Sequence, residues 1–184
     1  MFRPAWIRLS RFYSNAVEYD TVVIGGGHAG VEACTAAARS GARTLLLTQR
    51  FDTIGEMSCN PSFGGIGKGI LLKEIDALDG VAPRICDLAG IHFKVLNSKK
   101  GPAVHGPRAQ IDRTLYKRHL QECLRGYQNL TIHEGTAKDF IVEPCSSKVN
   151  RIKGIVLEGG QTVHASSVVI TTGTFLRGEI HIGL

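Results

Sequence analysis

The chain has 184 residues, of which 43% are hydrophobic and 21% charged, with a formal net charge of +6 at pH 7. This composition is typical of one globular domain that buries its own core. The longest apolar runs fall short of a membrane span, which argues against a helical membrane protein. Five scattered cysteines with no C-x-x-C pair argue against a disulfide framework or a structural zinc or other metal site, and favour a reducing compartment.

The first 17 residues differ in composition from the rest of the chain. They contain three arginines and no acid before Glu18, and their apolar residues share one face of a helical wheel. An Arg-rich, Ser-containing, acid-poor amphipathic leader predicts a mitochondrial transit peptide, with Arg11–Ser14 resembling a matrix-protease cleavage site. The alternative is a disordered basic tail. We therefore expect a leader over residues 1–17 and a folded domain over residues 18–184.

The turn after the first predicted strand carries the main functional signal. The β-branched run Val22–Ile24 predicts a buried parallel strand, and it leads into Gly25, Gly27 and Gly30 at G-x-G-x-x-G spacing. In dinucleotide-binding proteins the first glycine permits the turn, and the second lets a pyrophosphate approach the backbone. The third lets the helix and strand pack closely. The spacing therefore predicts a dinucleotide site here.

The residues after this turn supply the context that the motif needs. An alanine-rich segment ending at Gly41 predicts a helix, and Thr44–Thr48 predicts a second buried strand. The fingerprint expects an acid at the end of this strand, but Thr48, Gln49 and Arg50 stand there. An unrelated phosphate ligand, or no ligand, is the alternative, and the complete strand–turn–helix–strand order favours a dinucleotide.

A glycine-rich segment from Gly55 to Gly69 contains Cys59 and is predicted to be a loop, since its five glycines and one proline disfavour a helix. It is not a P-loop, because Ser62 and Gly69 stand where that motif requires Gly and Ser or Thr. A thiol near Lys68 is a candidate nucleophile with a lowered pKa. An inert loop cysteine is the alternative, and both interpretations stay open.

Periodicity predicts further elements between residues 70 and 124. In chain order these are a helix over Ile70–Leu78 with Ile70, Leu71, Ile75 and Leu78 on one side, a short helix, a strand over Ile91–Leu96, an irregular polar stretch over residues 97–110, and a helix over Ala109–Leu124 with Ile111, Leu115 and Leu120 towards the core.

Residues 94–125 have a strong local charge: eight Lys or Arg against two acids. A solvated helix face is the ordinary explanation for such a run, and a phosphate-bearing partner is the alternative. No RNA-binding signature with aromatic platforms accompanies the charge, so the patch alone does not predict nucleic acid binding.

The last third of the chain is predicted to be strands. Leu130–His133 is expected in the main sheet, the segments Asp139–Val142, Arg151–Leu157 and Thr162–His164 in a small antiparallel meander, and Ser167–Thr171 back in the core before Thr172-Gly173-Thr174. Flavoproteins of the two-dinucleotide type have this layout, which favours FAD over NAD. The expected fold is a three-layer α/β Rossmann-like FAD-binding domain with a parallel core sheet and a small β-meander.

Four stretches resemble the MnmG/GidA family of tRNA wobble-uridine modification flavoproteins: IGGGHAGVEA from Ile24, MSCNPSFGGIGKG from Met57, KGPAV with RAQIDR from Lys100 and Arg108, and TTGTFLRGEIHIGL from Thr171. The resemblance runs from about Glu18 to the last residue, and the leader indicates a mitochondrial member of the family. The family itself departs from the general fingerprint at Thr48.

The resemblance implies an FAD enzyme that substitutes C5 of the wobble uridine of tRNA together with an MnmE-type GTPase. It implies methylenetetrahydrofolate as the one-carbon donor, NADH as the reductant, a homodimer when full length, and a location in the mitochondrial matrix. It assigns Gly25, Gly26, Gly27, His28, Ala29 and Gly30 to the FAD pyrophosphate turn, Ala137 to a backbone contact with the adenosine half, and Cys59 to one of two functional cysteines.

Family members are several times longer, so we expect a truncated FAD domain in which the second cysteine and the NADH-contacting part are absent. Two other functions remain open from the residues alone. One is an FAD-dependent oxidoreductase of small molecules that uses Cys59 in thiol redox chemistry. The other is a non-catalytic remnant that binds flavin or tRNA.

Overall fold

The computed structural model of the chain describes residues 18–57, 60–146 and 149–173. The predicted transit peptide, Cys59 and the segment after Gly173 lie outside the described residues. The elements in the described part are, in chain order, β1 (Glu18–Ile24), α1 (His28–Arg39), β2 (Thr44–Thr48), β3 (Ser62–Gly64), α2 (Lys68–Ala77), α3 (Val81–Ala89), β4 (Gly90–Leu96), β5 (Gly106–Ile111), α4 (Arg113–Arg125), β6 (Leu130–Glu134), β7 (Ala137–Ser146), β8 (Val149–Leu157) and β9 (Thr162–Ile170).

The main sheet has six strands in the order β6-β2-β1-β9-β8-β7. Its first four strands are parallel, with β1 between β2 and β9. Val22 pairs with Leu45 on one side and with Val168 on the other. The apolar runs of β1 and β2 are almost fully buried, as expected for strands covered on both faces.

Alternate residues of the parallel strands enter two different cores. Val23 and Leu46 pack with residues of α1, α3 and α4 in the first core. Val22 and Leu45 point to the opposite face, where apolar residues of β8 and β9 such as Ile155 cover them. Helices, parallel sheet and meander therefore form the three layers that the sequence predicts.

The return of the chain to the core differs in one detail from the prediction. Thr162–His164 and Ser167–Thr171 are not two strands, because β9 runs without interruption through Thr162–Ile170. Its first residues pair antiparallel with β8, and the strand from His164 onwards pairs parallel with β1. The meander is thus a continuation of the main sheet.

A second sheet of three antiparallel strands has the order β3-β5-β4. β4 (Gly90–Leu96) confirms the strand predicted over Ile91–Leu96, whereas β3 and β5 occupy segments predicted to be irregular. Within the supposed loop of residues 55–69, β3 pairs Phe63 with Ala109 of β5, and α2 begins at Lys68. Within the supposed irregular stretch of residues 97–110, β5 begins at Gly106. Glycine and proline content marked these segments as loops, but pairing between distant parts of the chain makes them strands.

Two helices differ from their predictions in register or in orientation. Helix α4 begins at Arg113 because the Asp112 carboxylate accepts a hydrogen bond from the Leu115 backbone N–H (3.0 Å), and residues 109–111 belong to β5. Its buried residues are Tyr116, Leu120 and Leu124. In α2 the predicted apolar side is mostly exposed, at Ile70, Leu71 and Leu78.

No helix in the described ranges is long and apolar enough to cross a membrane.

Candidate dinucleotide site

The carboxyl ends of the parallel strands meet at one edge of the main sheet and place the glycine turn there. The backbone N–H of Gly25 donates to the Leu47 carbonyl (2.8 Å), which joins the turn to β2. On the other side, the backbone N–H of Thr171 donates to the Ile24 carbonyl (2.9 Å), and the Thr171 hydroxyl donates to the same oxygen (2.8 Å). Ligands of open α/β sheets bind at this edge.

Three glycines of the turn are required by close contacts within the protein. Gly25 has a positive φ of 113°, and a Cβ there would lie 2.6 Å from the Thr171 carbonyl oxygen. A Cβ on Gly30 would lie 1.8 Å from the Gly25 carbonyl oxygen, so this position holds α1 against the turn. A Cβ on Gly26 would lie 2.8 Å from Oγ1 of Thr48.

Gly27 is different, because a Cβ there would meet no atom within 4 Å. It is the N-cap residue of α1, and no side chain caps the helix at this position. The N–H groups of a first helical turn have no partner within the helix and bind anions well, and the exposed Ala29 leaves this turn open. The open space and the free helix end fit a pyrophosphate.

β2 does not end in the acid that the dinucleotide fingerprint expects, but the adjacent strand β6 does. Thr48 is buried, and its register partner in β6 is Glu134. The Glu134 carboxylate accepts a hydrogen bond from the Phe51 backbone N–H (2.6 Å) and so holds the segment after β2 at the sheet edge. Sequence reasoning missed Glu134, although an acid ending a predicted parallel strand was a visible signal.

The side chain of His28 packs with Phe63 and Tyr116 in a cluster of three rings. Its ring centroid lies 5.0 Å from that of Phe63 and 5.6 Å from that of Tyr116, both edge-on. The Tyr116 hydroxyl lies 3.5 Å from Nδ1 of His28. Burial, with a smaller effect from the positive charge of Lys68, lowers the pKa of His28 and favours the neutral ring.

This cluster joins the dinucleotide turn to the segment that follows Cys59. Nζ of Lys68 donates to the Ser62 carbonyl (3.2 Å) and lies 4.8 Å from the centroid of the Phe63 ring. The Arg108 guanidinium donates to the Ser62 hydroxyl (3.2 Å). Lys68 and Arg108 thus both contact Ser62, which lies three positions after Cys59 in the chain. The nucleophilic role of Cys59 itself stays a prediction.

Ala137 begins β7 just beyond the carboxyl edge of β6. The Gly135 backbone N–H donates to the Thr48 carbonyl (2.7 Å), and two residues later Ala137 pairs with Leu157 and packs against the second core. This puts Ala137 near the β2–β6 edge. Its predicted contact with the adenosine half of FAD stays a prediction.

Three other cysteines do not have the surroundings of a reactive thiol, because burial raises the pKa of Cys34 and of Cys86 to about 12 and also raises the pKa of Cys123. Cys145 is exposed on β7. Among the described residues, no group of three or more His, Cys, Asp or Glu side chains is placed to hold a metal ion.

The parallel sheet, the glycine turn and the open N-terminus of α1 define a Rossmann-type dinucleotide-binding domain. Residues 20–184 match the model of the family described as glucose inhibited division protein A, and the chain belongs to this GidA family. The family resemblance of the sequence motifs is thereby confirmed.

Individual relatives agree with this assignment. The chain is 62% identical over 169 residues to the mitochondrial 5-taurinomethyluridine-[tRNA] synthase subunit MTO1 of Macaca fascicularis, covering 90% of this chain and 24% of that protein. It is 57% identical over 165 residues to the tRNA uridine 5-carboxymethylaminomethyl modification enzyme MnmG of Granulibacter bethesdensis, covering 90% of this chain and 26% of that protein. The chain spans about a quarter of the length of these curated relatives.

Solved structures show the same relationship. The structure of Aquifex aeolicus GidA aligns with a TM-score of 0.80 at 46% identity, over 85% of this chain and 25% of that chain. Thermovibrio ammonificans THI4 aligns with a TM-score of 0.56 at 17% identity, over 85% of this chain and 58% of that chain, which shows a shared fold alone.

Proposed function

We propose that the full-length protein is an FAD-dependent enzyme that modifies C5 of the wobble uridine of tRNA. The observation that carries the proposal is the ring contact between His28 and Phe63, which places the segment after Cys59 against the dinucleotide turn. The names of the relatives, which refer to tRNA uridine modification, support the choice of substrate.

In this proposal the turn from Gly25 to Gly30 holds the FAD pyrophosphate. The backbone N–H groups at the start of α1 would hold the phosphates in the open space beside Gly27, and Ala137 would contact the adenosine half. A bound flavin supplies two-electron redox chemistry. Gly25 and Gly30 keep the turn and α1 in contact, so that the N–H groups have one fixed direction.

Cys59 is the proposed nucleophile towards the base. A thiolate that adds to C6 of uracil makes C5 electron-rich, which is where the new substituent is attached, and an anticodon-loop base is readily unstacked. Lys68 and Arg108, which both donate to Ser62, supply the positive field that favours a thiolate.

The remaining parts of the proposal rest on the family resemblance. They are NADH as the reductant, methylenetetrahydrofolate as the one-carbon donor, an MnmE-type GTPase as the partner, a homodimeric state and a mitochondrial matrix location.

The proposal is tested with Cys59→Ser in the full-length protein, expressed in cells that lack the endogenous gene. The matched control is Cys145→Ser, because Cys145 is exposed on β7. Mass spectrometry of digested tRNA measures the wobble uridine, and flavin absorbance measures the FAD content. We expect Cys59→Ser to lose the modification and keep FAD, because serine is a far weaker nucleophile near neutral pH.

Near-normal modification with normal protein levels would remove Cys59 from the mechanism. A wild-type protein that binds FAD but restores no tRNA modification would instead favour an oxidoreductase acting on a small molecule. If the wild-type protein binds no FAD, the dinucleotide assignment itself is wrong.

A further inference from the structure

A polar groove of about 660 Å³ runs between α4 and the segment that follows β2. Its lining includes four cationic side chains of α4: Arg113, Lys117, Arg118 and Arg125. Arg113, Arg118 and Arg125 are exposed. The dinucleotide turn does not contribute to the lining, so the groove is separate from the site described above.

The cations are arranged along one direction. Arg113, Lys117 and Arg125 share the i, i+4 rows of α4, so neighbouring positions are about 6 Å apart along the helix axis. This interval is similar to the distance between consecutive phosphates of an extended nucleic acid strand. Gln121 occupies the remaining position of the row and donates to the Asp52 and Ile54 carbonyls (3.2 and 3.1 Å), which fixes the opposite wall.

Three carboxylates also line the groove, and each has a cationic or titratable partner. Asp52 pairs with Arg50, and Glu56 pairs with Lys117 (2.7 Å). Glu122 lies 3.6 Å from His119. In the Lys117–Glu56 pair the Glu56 side chain is 63% exposed and that of Lys117 is 32% exposed, so a phosphate can reach Lys117 and compete with Glu56 for it. The lining thus holds four Lys or Arg side chains against three carboxylates, and Arg50, which lies outside the lining, pairs with one of these carboxylates.

The groove leads towards the proposed reaction centre. Met57 lines it and precedes Cys59 by two residues in the chain. At the other end, the Arg125 guanidinium lies 4.8 Å from the centroid of the Phe51 ring, which holds it in place without neutralising it. A strand that follows the cations of α4 therefore reaches Met57, two residues before Cys59 in the chain.

We propose that this groove binds the sugar–phosphate backbone of an RNA strand and so delivers the substrate base towards Cys59. The inference rests on the proposed function, because it assumes that the substrate is RNA. It adds a location: α4, within the FAD domain, is a phosphate-contacting surface. The contacts are sequence-independent, since they go to phosphates and not to base edges.

The experiment compares two double variants of the full-length protein. Arg118→Gln with Arg125→Gln removes two charges from the groove, and the control, Arg151→Gln with Lys153→Gln, removes two charges from exposed positions of β8. Binding to an unmodified tRNA transcript is measured at KCl concentrations from about 50 to 400 mM, because the contribution of phosphate contacts to affinity changes steeply over roughly this range. FAD content and thermal midpoint are recorded for each protein.

The logarithm of the binding constant falls linearly with the logarithm of the salt concentration, and each lost phosphate contact makes this slope shallower by about 0.7. We expect the groove variant to lose about 1.4 from this slope and roughly 25-fold in affinity at about 0.1 M salt, with FAD content unchanged. The control should match the wild type. If the double variant does not fold, Arg118→Gln alone should lose about 0.7 from the slope, because Arg118 is exposed.

Equal affinity and slope in the groove variant and the control would overturn the inference. So would unchanged tRNA binding combined with loss of modification in cells, since that result would assign the groove to a protein partner. A wild-type protein that binds FAD but no tRNA would reject the proposed function, and this inference with it, before any variant is compared.

Discussion

Two glycines of the same turn should respond in opposite ways to one added methyl group. In Gly30→Ala the new Cβ would lie 1.8 Å from the Gly25 carbonyl oxygen. In Gly27→Ala the new Cβ meets nothing within 4 Å, and the backbone angles of −75° and −178° suit alanine. Gly30→Ala should destabilise the fold, whereas Gly27→Ala should only fill space that the pyrophosphate needs.

The expected magnitudes follow from these distances. Gly30→Ala must push α1 away from the turn by more than about 1 Å, and overpacking against backbone costs about 3 kcal/mol or more in the free energy of unfolding. Gly27→Ala loses up to about 1 kcal/mol at the N-cap and gains about 0.5 kcal/mol through the unfolded chain, so stability should change by less than about 1 kcal/mol. Losing one charge-assisted hydrogen bond to phosphate weakens FAD binding roughly 10- to 100-fold.

The assay uses the full-length protein in both variants. Urea unfolding of the FAD-free form, followed by circular dichroism, gives stability. Titration with FAD, followed by flavin fluorescence, gives affinity. Gly41→Ala is a useful third variant, because Gly41 has a positive φ of 93° and lies beyond the C-terminal end of α1, away from the turn. This variant should lose stability without a specific loss of FAD affinity.

Two results would refute this reasoning. Tight FAD binding in Gly27→Ala, and also in the bulkier Gly27→Val, would show that the pyrophosphate does not lie above Gly27. A Gly30→Ala protein as stable as the wild type would show that α1 is not held against the turn as described.

Three further predictions concern stability and location. Glu32→Ala should cost about 2–3 kcal/mol in urea unfolding, because the carboxylate accepts hydrogen bonds from the backbone N–H groups of Ala82 (2.6 Å) and Val81 (3.2 Å) at the start of α3; an unchanged midpoint would contradict this. Burial lowers the pKa of His28 below its usual 6.5, so as the pH falls the unfolded chain takes up the proton before the folded protein does. The free energy of unfolding should therefore fall as the pH drops below about 6.5, and His28→Gln should lack this dependence. Parallel curves of unfolding free energy against pH for the two proteins would rule it out. Residues 1–20 fused to a fluorescent reporter should carry it into mitochondria, and a cytosolic signal would disprove the transit peptide.

The order β1-α1-β2 was predictable because its signals are local. A β-branched run, spaced glycines, an alanine-rich segment and a second apolar run are each read within a few residues, and the boundaries of β2 agree with the prediction. The three-layer class followed from the order of the strands. These features require no knowledge of which distant segments meet.

Two strands of the small sheet, β3 and β5, were missed because their glycines serve close packing between strands and not turns. A Cβ on Gly64 would lie 2.0 Å from the Pro107 carbonyl oxygen, and one on Gly106 would lie 2.8 Å from the Gly65 carbonyl oxygen. Glycine at such positions lets two backbones approach, but in a sequence it looks the same as a loop signal.

The ring cluster of the candidate site was also beyond sequence reasoning. His28, Phe63 and Tyr116 come from three separate elements, and no local pattern shows that they meet. In α2, periodicity identified the helix but selected the wrong side: Leu71 and Leu78 are 58% and 72% exposed. A period describes one helix, whereas burial depends on which surface is present to cover it.

The position of β9 between β1 and β8 has a consequence for synthesis on the ribosome. Val22 pairs with Val168, so the partner of this central strand is translated roughly 7 to 30 s after it, at about 5–20 residues per second. During that interval β2 can pair with β1 and β6 with β2, while the backbone groups on the other edge of β1 have no strand to pair with. Such an edge invites pairing with other chains. We therefore expect the yield of this domain in cells to depend on how well that edge is shielded until β9 leaves the exit tunnel.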